Sequence, residues 1–201
     1  MFYRLAPEDP FPSGFEDCVE AYNHLLDTGH DPKDIVLAGD SAGGNMVLSV
    51  LLYLRGKGIP LPACGIMLSA LLDLTFTGES RFTNARRDPM LPNGGKELIQ
   101  QMYHPDVADD CPYVSPLFGD FTGLPPLLGQ VGSIEILRDD TVRAADRAKA
   151  AGVPFRMEVW PGLPHVWQLI DFIPESSEAI SHIVAFIQNP HAQTCGPEKA
   201  A

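Results

Sequence analysis

A six-residue segment at 39–44, Gly-Asp-Ser-Ala-Gly-Gly, constrains this chain more than any other feature. The apolar run at 34–38 before it predicts a short buried strand that includes β-branched residues. Residues 41–56 after it carry apolar side chains at helical spacing and predict a helix. Glycine lets a chain turn sharply between two such elements, so the pattern predicts that Ser41 projects above the edge of a sheet.

Strands and helices also alternate along the rest of the chain. The predicted strands are 64–68, 127–131 and 155–160, and the predicted helices are 13–26, 138–151 and 175–188. This alternation predicts an α/β fold, with a mostly parallel sheet and helices on both of its faces. We assign this domain to residues 1–188 and expect residues 189–201 to form a flexible tail.

Residues 73–125 differ from the rest of the domain in composition and in the regularity of their apolar pattern. They contain many of the prolines and glycines, together with one predicted helix at 95–103. The segment is too long for a plain connection between two strands. We therefore expect it to pack beside the active site and to help shape the pocket.

The ends and faces of two helices give finer expectations. Ser13 followed by Glu16 has capping-box spacing, which predicts that Ser13 caps the first helix. In the last helix, four apolar residues at helical spacing are expected to face the core: Ile180, Ile183, Val184 and Ile187.

The 39–44 segment contains the pattern G-x-S-x-G, which is typical of a nucleophilic serine between a strand and a helix. The helix that follows offers free N–H groups and a positive dipole end to a developing oxyanion. The Ala42 N–H is the expected donor. A glycine-rich turn without chemistry would also fit these six residues, but the strand and the helix around them favour Ser41 as a nucleophile.

A nucleophilic serine needs a histidine base, which in this fold follows the acid along the chain. Of the six histidines, only His165 lies in a loop after the last predicted strand, in Pro-Gly-Leu-Pro-His at 161–165. The alternative is a surface histidine without a catalytic role. The position favours His165 as the base.

Three carboxylates follow the strand at 127–131, and any of them could orient the base: Glu135, Asp139 and Asp140. Asp139 and Asp140 open the next helix, where capping and the helix dipole already explain an acidic residue. Glu135 has no such explanation. We therefore favour Glu135 over Asp139, with Asp139 kept as the alternative.

Several segments resemble the hormone-sensitive-lipase-like esterases, a branch of the α/β-hydrolases. They are Tyr-Arg-Leu-Ala-Pro-Glu at 3–8, Gly-Asp-Ser-Ala-Gly-Gly-Asn at 39–45, Ser-Pro-Leu at 115–117, Leu-Pro-Pro at 124–126 and Glu-Ile-Leu-Arg-Asp-Asp at 135–140. The resemblance implies a triad of Ser41, Glu135 and His165, and hydrolysis of small or medium carboxylic esters through an acyl-enzyme. No cofactor is expected. Many relatives have Asp where this chain has Glu135.

One part of the family pattern is missing from this sequence. The family carries a His-Gly-Gly-Gly oxyanion loop ahead of the segment at 3–8, together with an N-terminal cap and the first strands. The resemblance therefore implies an N-terminally truncated fold, a weak esterase and self-association through an open sheet edge. The alternative is a catalytically silent or severely impaired homologue, either a binding protein or a truncated gene product.

Net charge and composition limit the classes of molecule that this chain is expected to bind. Lys and Arg number 14 against 26 Asp and Glu, a net charge of −12, which disfavours nucleic acid and suits an uncharged small-molecule ester. No apolar run approaches the roughly 20 residues of a membrane span, and we expect no export by a standard signal. The four cysteines, one of them Cys195, show no metal-ligand spacing. They predict reduced thiols in the cytoplasm, with two disulfides as the alternative.

Overall fold

A computed structural model describes residues 2–92 and 94–192. Four parallel strands pair in the order β1-β2-β3-β4. The strands are β1 Val36–Asp40, β2 Cys64–Leu68, β3 Leu127–Gly132 and β4 Phe155–Trp160. Because all four run in one direction, their carboxyl ends meet at a single edge of the sheet.

Six α-helices and three short 3₁₀ turns surround the sheet in the described residues. The helices are α1 Ser13–Asp27, α2 Ala42–Lys57, α3 Ser80–Thr83, α4 Lys96–Tyr103, α5 Arg138–Ala150 and α6 Pro174–Gln188. The 3₁₀ turns are Pro32–Asp34, Pro116–Phe118 and Trp167–Leu169.

The core occupies both faces of the sheet. Met67 of β2 packs in a buried cluster with Leu51 of α2 and Ala144 of α5. The neighbouring Ile66 points the other way and packs in a cluster with Phe186 of α6. Successive side chains of a strand alternate between faces, so α6 covers the face opposite to α2 and α5. The prediction of a parallel sheet with helices on both faces is confirmed.

The first strand lies two residues further along than predicted. Asp34 ends a 3₁₀ turn that begins where the Asp31 carboxylate accepts the Lys33 N–H at 2.8 Å. β1 then runs on to Asp40, and the Ser41 N–H donates to the Leu68 carbonyl of β2 at 2.8 Å. The strand thus delivers Ser41 directly to the turn before α2.

The expected cap of the first helix was wrong. Ser13 is already the first helical residue, Pro12 occupies the cap position, and no side chain caps the helix. The helix therefore begins one residue before the position that the capping-box pattern predicts. At the end of α2, Gly58 adopts φ 67° and closes the helix, and its N–H donates to the Arg55 carbonyl at 3.1 Å.

The predicted core face of α6 is only partly correct. Ile183 packs against the sheet beside the buried Phe186. Three of the four predicted residues are instead substantially exposed: Ile180 at 45%, Val184 at 48% and Ile187 at 42%. Only a narrow stripe of α6, which includes Ile183 and Phe186, packs against the sheet. The apolar pattern of the helix is therefore wider than its buried face.

The outer edge of β1 has no partner strand within the described residues. Ala38 and Asp40 are exposed on this strand. The described cysteines Cys18, Cys64 and Cys111 are free thiols. Cys195 and most of the predicted tail at 189–201 lie outside the described residues. No helix in the described parts is long and apolar enough to cross a membrane.

Candidate active site

Ser41 occupies a sharp turn with an unusual backbone conformation. Its φ of 53° and ψ of −116° lie outside the regions that a non-glycine residue normally adopts. A Cβ on Gly39 would overlap the backbone of Gly43, and one on Gly44 would lie 2.5 Å from the Ala70 Cβ. A Cβ on Gly43 itself would meet nothing within 4 Å. Gly39 and Gly44 therefore make the turn possible, whereas the missing side chain of Gly43 relieves no contact.

The Ala42 N–H lies at the first position of α2. In the described part of the chain it donates no backbone hydrogen bond. The first N–H groups of a helix lack partners within the helix, and the helix dipole makes this end favourable for negative charge. The Ala42 N–H is thus available to an oxygen atom beside Ser41.

His165 and Glu135 form a buried pair. The His165 Nδ1 lies 3.0 Å from Glu135 Oε2, and the two residues are 7% and 0% exposed. A carboxylate accepts a hydrogen bond, so the proton is assigned to Nδ1 and the lone pair to Nε2. This is the tautomer in which Nε2 can accept a proton from a serine hydroxyl.

The second oxygen of Glu135 has two donors of its own. Oε1 accepts the Gly132 N–H at 2.5 Å and the Ser69 hydroxyl at 2.8 Å. A Cβ on Gly132 would overlap the Leu163 carbonyl oxygen, so only glycine fits there. Burying an ionised carboxylate costs free energy unless hydrogen-bond donors replace the lost water. These two donors offset that cost for Glu135.

Ser69 was not predicted from the sequence. It is fully buried directly after β2, and its hydroxyl accepts the Val166 N–H at 3.0 Å in addition to donating to Glu135. The available signal was its position: a polar residue at the carboxyl end of a central strand, where ligands and catalytic groups gather in such sheets.

Asp139 and Asp140 lie in the same region but bind other partners. Asp139 accepts the Ser80 N–H at 2.8 Å and pairs with Arg138, and no hydrogen bond joins it to His165. Asp140 accepts the Leu72 N–H at 2.8 Å, and burial raises the pKa of Asp140 to about 7. Neither residue caps α5, so the capping half of the explanation was wrong, but both lie in the first turn, where the helix dipole favours an acidic residue. Both carboxylates instead fasten α5 to the segment that follows β2.

Part of the irregular segment holds the loop that carries Glu135. The Asn84 amide donates to the carbonyls of Ser133 and Glu135 at 3.0 and 2.9 Å. The Ser80 hydroxyl donates to the Ile136 carbonyl at 2.8 Å. With both side chains buried, this clamp fixes the backbone on either side of the carboxylate.

The predicted site residues follow strands whose carboxyl ends lie at one edge of the sheet. Ser41 follows β1, Glu135 follows β3 and His165 follows β4. Within the described residues the Ser41 hydroxyl forms no hydrogen bond with His165. Such nucleophile–base bonds often tighten only when substrate is present. No group of three or more His, Cys, Asp or Glu residues in the described part could hold a metal ion.

A parallel sheet with a serine on the tight turn into a helix, and a histidine–carboxylate pair after later strands, defines the α/β-hydrolase class. Residues 1–169 match the family model described as alpha/beta hydrolase fold, and the chain belongs to this family.

Curated proteins of similar sequence include hydrolases of esters, in keeping with this family. An acetyl-hydrolase of Streptomyces hygroscopicus is 40% identical over 189 residues, which cover 94% of this chain and 63% of that protein. An esterase of Acinetobacter venetianus is 38% identical over 186 residues, covering 92% of this chain and 61% of that protein. The chain thus spans less than two thirds of the length of both relatives.

Solved structures give the same result. An esterase from the bacterial hormone-sensitive lipase (HSL) family is 48% identical and superposes with a TM-score of 0.90, covering 94% of this chain and 64% of that one. An esterase/lipase from an uncultured bacterium is 42% identical, with a TM-score of 0.89 and the same coverage. The resemblance to hormone-sensitive-lipase-like esterases is confirmed.

Proposed function

We propose that this chain hydrolyses carboxylic esters, with Ser41 as the nucleophile, His165 as the base and Glu135 as the acid that orients it. The observation that carries the proposal is the buried contact of 3.0 Å between His165 Nδ1 and Glu135 Oε2. This contact leaves the other ring nitrogen as a proton acceptor at the edge where Ser41 lies.

The reaction proceeds in two halves. Ser41 Oγ attacks the ester carbonyl carbon while its proton passes to His165 Nε2, and the oxyanion is stabilised by the Ala42 N–H. The tetrahedral intermediate then collapses, and the alcohol leaves with the proton from His165. In the second half, water attacks the acyl-enzyme carbonyl carbon and gives a proton to His165 Nε2. The intermediate then collapses, His165 returns that proton to Ser41 Oγ, and the acid is released. The Glu135 carboxylate stabilises the imidazolium in both halves.

Names of relatives suggest the first substrates to try. The relative from Streptomyces hygroscopicus is an acetyl-hydrolase, and the one from Acinetobacter venetianus is an esterase. An acetyl ester with a good leaving group, p-nitrophenyl acetate, is therefore the starting substrate. We also propose a cytoplasmic location, a compartment in which Cys18, Cys64 and Cys111 would stay reduced thiols.

The test combines covalent labelling with turnover. A fluorophosphonate should label the wild-type chain at Ser41, located by mass spectrometry of the digested protein. Ser41→Ala should abolish both labelling and turnover of p-nitrophenyl acetate, while its circular dichroism and melting temperature stay close to those of the wild type. Folded wild-type protein that neither labels nor turns over would support the catalytically silent alternative. Residual turnover in Ser41→Ala would point to another nucleophile.

A further inference from the structure

Ser69 is a buried polar residue that the proposed reaction does not use directly. It directly follows β2, it is 0% exposed, and its φ is 49°. A positive φ is uncommon for a residue with a side chain, and a buried hydroxyl must find partners. Both features cost free energy, so other interactions must stabilise a serine at this position.

The Ser69 hydroxyl joins the two loops that carry the acid and the base. It donates to Glu135 Oε1 at 2.8 Å and accepts the Val166 N–H at 3.0 Å. Val166 directly follows His165, and its own φ is 52°, a strained value for a β-branched residue. One hydroxyl supplies both bonds because it carries one donor and two acceptor lone pairs.

The backbone around Ser69 is fixed on both sides. Its N–H donates to the Gln130 carbonyl of β3 at 2.8 Å, and the preceding carbonyl of Leu68 accepts the Ser41 N–H at 2.8 Å. The residue therefore lies between the nucleophile turn and the acid–base pair. A shift of Ser69 would therefore displace both Glu135 and the loop of His165.

We propose that Ser69 is a positioning residue, which holds the Glu135 carboxylate and the His165 loop in the geometry that lets His165 serve Ser41. This inference rests on the proposed function. It assigns Ser69 no contact with substrate. Its hydroxyl keeps Oε1 of Glu135 in place so that Oε2 faces the imidazole, and it holds Val166 so that the ring cannot swing away.

Two substitutions of Ser69 remove the hydroxyl but differ in the backbone strain that they leave at positive φ. Alanine keeps the Cβ but has neither donor nor acceptor. Glycine also lacks the hydroxyl, yet it adopts positive φ without strain, so Ser69→Gly removes the hydroxyl and relieves the backbone. Comparing Ser69→Ala with Ser69→Gly therefore separates loss of the hydroxyl from backbone strain.

A matched control exists elsewhere in the chain. Ser115 is also fully buried, its hydroxyl accepts the Leu74 N–H at 2.8 Å, and it donates to the Asp109 carbonyl. It therefore also donates one hydrogen bond and accepts one from a backbone N–H, but it has no bond to the acid or to the loop of the base. Ser115→Ala should lower the melting temperature without changing the turnover number.

The first test is steady-state kinetics on p-nitrophenyl acetate, well below the melting temperature of each variant. Ser69→Ala and Ser69→Gly should lower kcat by about 10- to 100-fold, the cost of a small misplacement of catalytic groups, and change KM by less than about twofold. If both variants keep kcat within about twofold of wild type while only the melting temperature falls, Ser69 is merely structural and the proposal is wrong.

The second test does not depend on turnover. In ¹⁵N-labelled wild-type protein, the His165 Nδ1–H should give a far-downfield proton resonance, assigned by its loss in His165→Ala. The resonance should shift or broaden in both Ser69 variants and stay in place in Ser115→Ala. An unchanged resonance in both Ser69 variants would overturn the positioning role. A wild type that shows the resonance but does not label with fluorophosphonate would overturn the proposed function alone.

Discussion

The turn that carries Ser41 and the loops that carry Glu135 and His165 lie at the same edge of the sheet, yet different interactions shape them. The turn depends on the absence of side chains. Gly39 and Gly44 allow close approach to the Gly43 backbone and to Ala70, and no hydrogen bond holds the Ser41 hydroxyl in the described residues. Its geometry is therefore mainly steric: Gly39 and Gly43 are close in sequence, and Ala70 and the Leu68 carbonyl, which accepts the Ser41 N–H, are its distant neighbours.

The acid–base loops depend on hydrogen bonds between distant parts of the chain. Ser69 is 66 residues from Glu135 and 97 from Val166, and Asn84 is 51 residues from Glu135. Each of these hydrogen bonds needs a particular donor or acceptor atom at its position in the chain. The nucleophile turn is thus shaped mainly by missing side chains, whereas the acid and the base are positioned by side-chain hydrogen bonds between distant residues.

The largest expected effect lies in the acid–base loops. Glu135→Gln removes the charge that stabilises the imidazolium and should lower turnover by about 10³- to 10⁴-fold, as neutralising the carboxylate does in a serine protease triad. Asp139→Asn, the matched control, should retain turnover within about twofold, because Asp139 is bound to Ser80 and Arg138. The measurement is kcat at matched thermal stability. A larger loss in Asp139→Asn would assign the acid to that residue.

The next effect tests the steric origin of the turn. Gly39→Ala places a Cβ against the Gly43 backbone and should destabilise the fold by about 1–3 kcal/mol or more. Gly43→Ala places a Cβ in open space and, inside α2, should be neutral or stabilising by about 0.5–1 kcal/mol. Urea unfolding of the two variants gives the comparison. Equal free energies of unfolding would contradict the steric account.

A smaller, pH-dependent effect is expected where α5 meets the segment after β2. Burial raises the pKa of Asp140 to about 7, with Arg81 opposing the shift. The native state thus favours protonated Asp140, and this contribution to stability is present below about pH 4 and is lost as the pH rises to about 7.

Asp140→Asn should remove this loss. The free energy of unfolding of the variant, relative to wild type, should be higher at pH 7.5 than at pH 4.5, by at most about 3 kcal/mol, given about 1.4 kcal/mol per pKa unit. Urea titrations at the two pH values measure the difference, and Asp139→Asn serves as the control. A difference that does not depend on pH would show that Asp140 does not titrate in this window.

The smallest effect concerns the outer edge of β1, beside the nucleophile turn. We propose weak self-association of two copies through this edge, opposed by the net charge of −12. Light scattering should show more association at high salt, which screens that repulsion. Ala38→Lys, which places a charge on the exposed edge, should reduce it. Particle size that depends on neither salt nor this substitution would argue against association through β1.

Much of the fold could be predicted because its signals are local. The strand at Cys64–Leu68 and the strand at Phe155–Trp160 have the predicted bounds. A short apolar run between turns predicts the first, and apolar residues alternating with charged ones predict the second. The displaced start of β1 and the exposed Ile180 show the limit. A helix cap or a buried face depends on what packs against it, and the local pattern does not contain that information.

The sequence by itself determined the turn of Ser41, because glycine spacing between a strand and a helix permits few backbone paths. It also limited the base to His165 and the acid to Glu135 or its neighbours. Only the tertiary structure paired His165 with Glu135, directed Asp139 to Ser80 and placed Ser69 between the two loops. The reason is that these bonds join residues 30, 59 and 66 positions apart, and parallel strands bring such residues to one edge only after the sheet has formed.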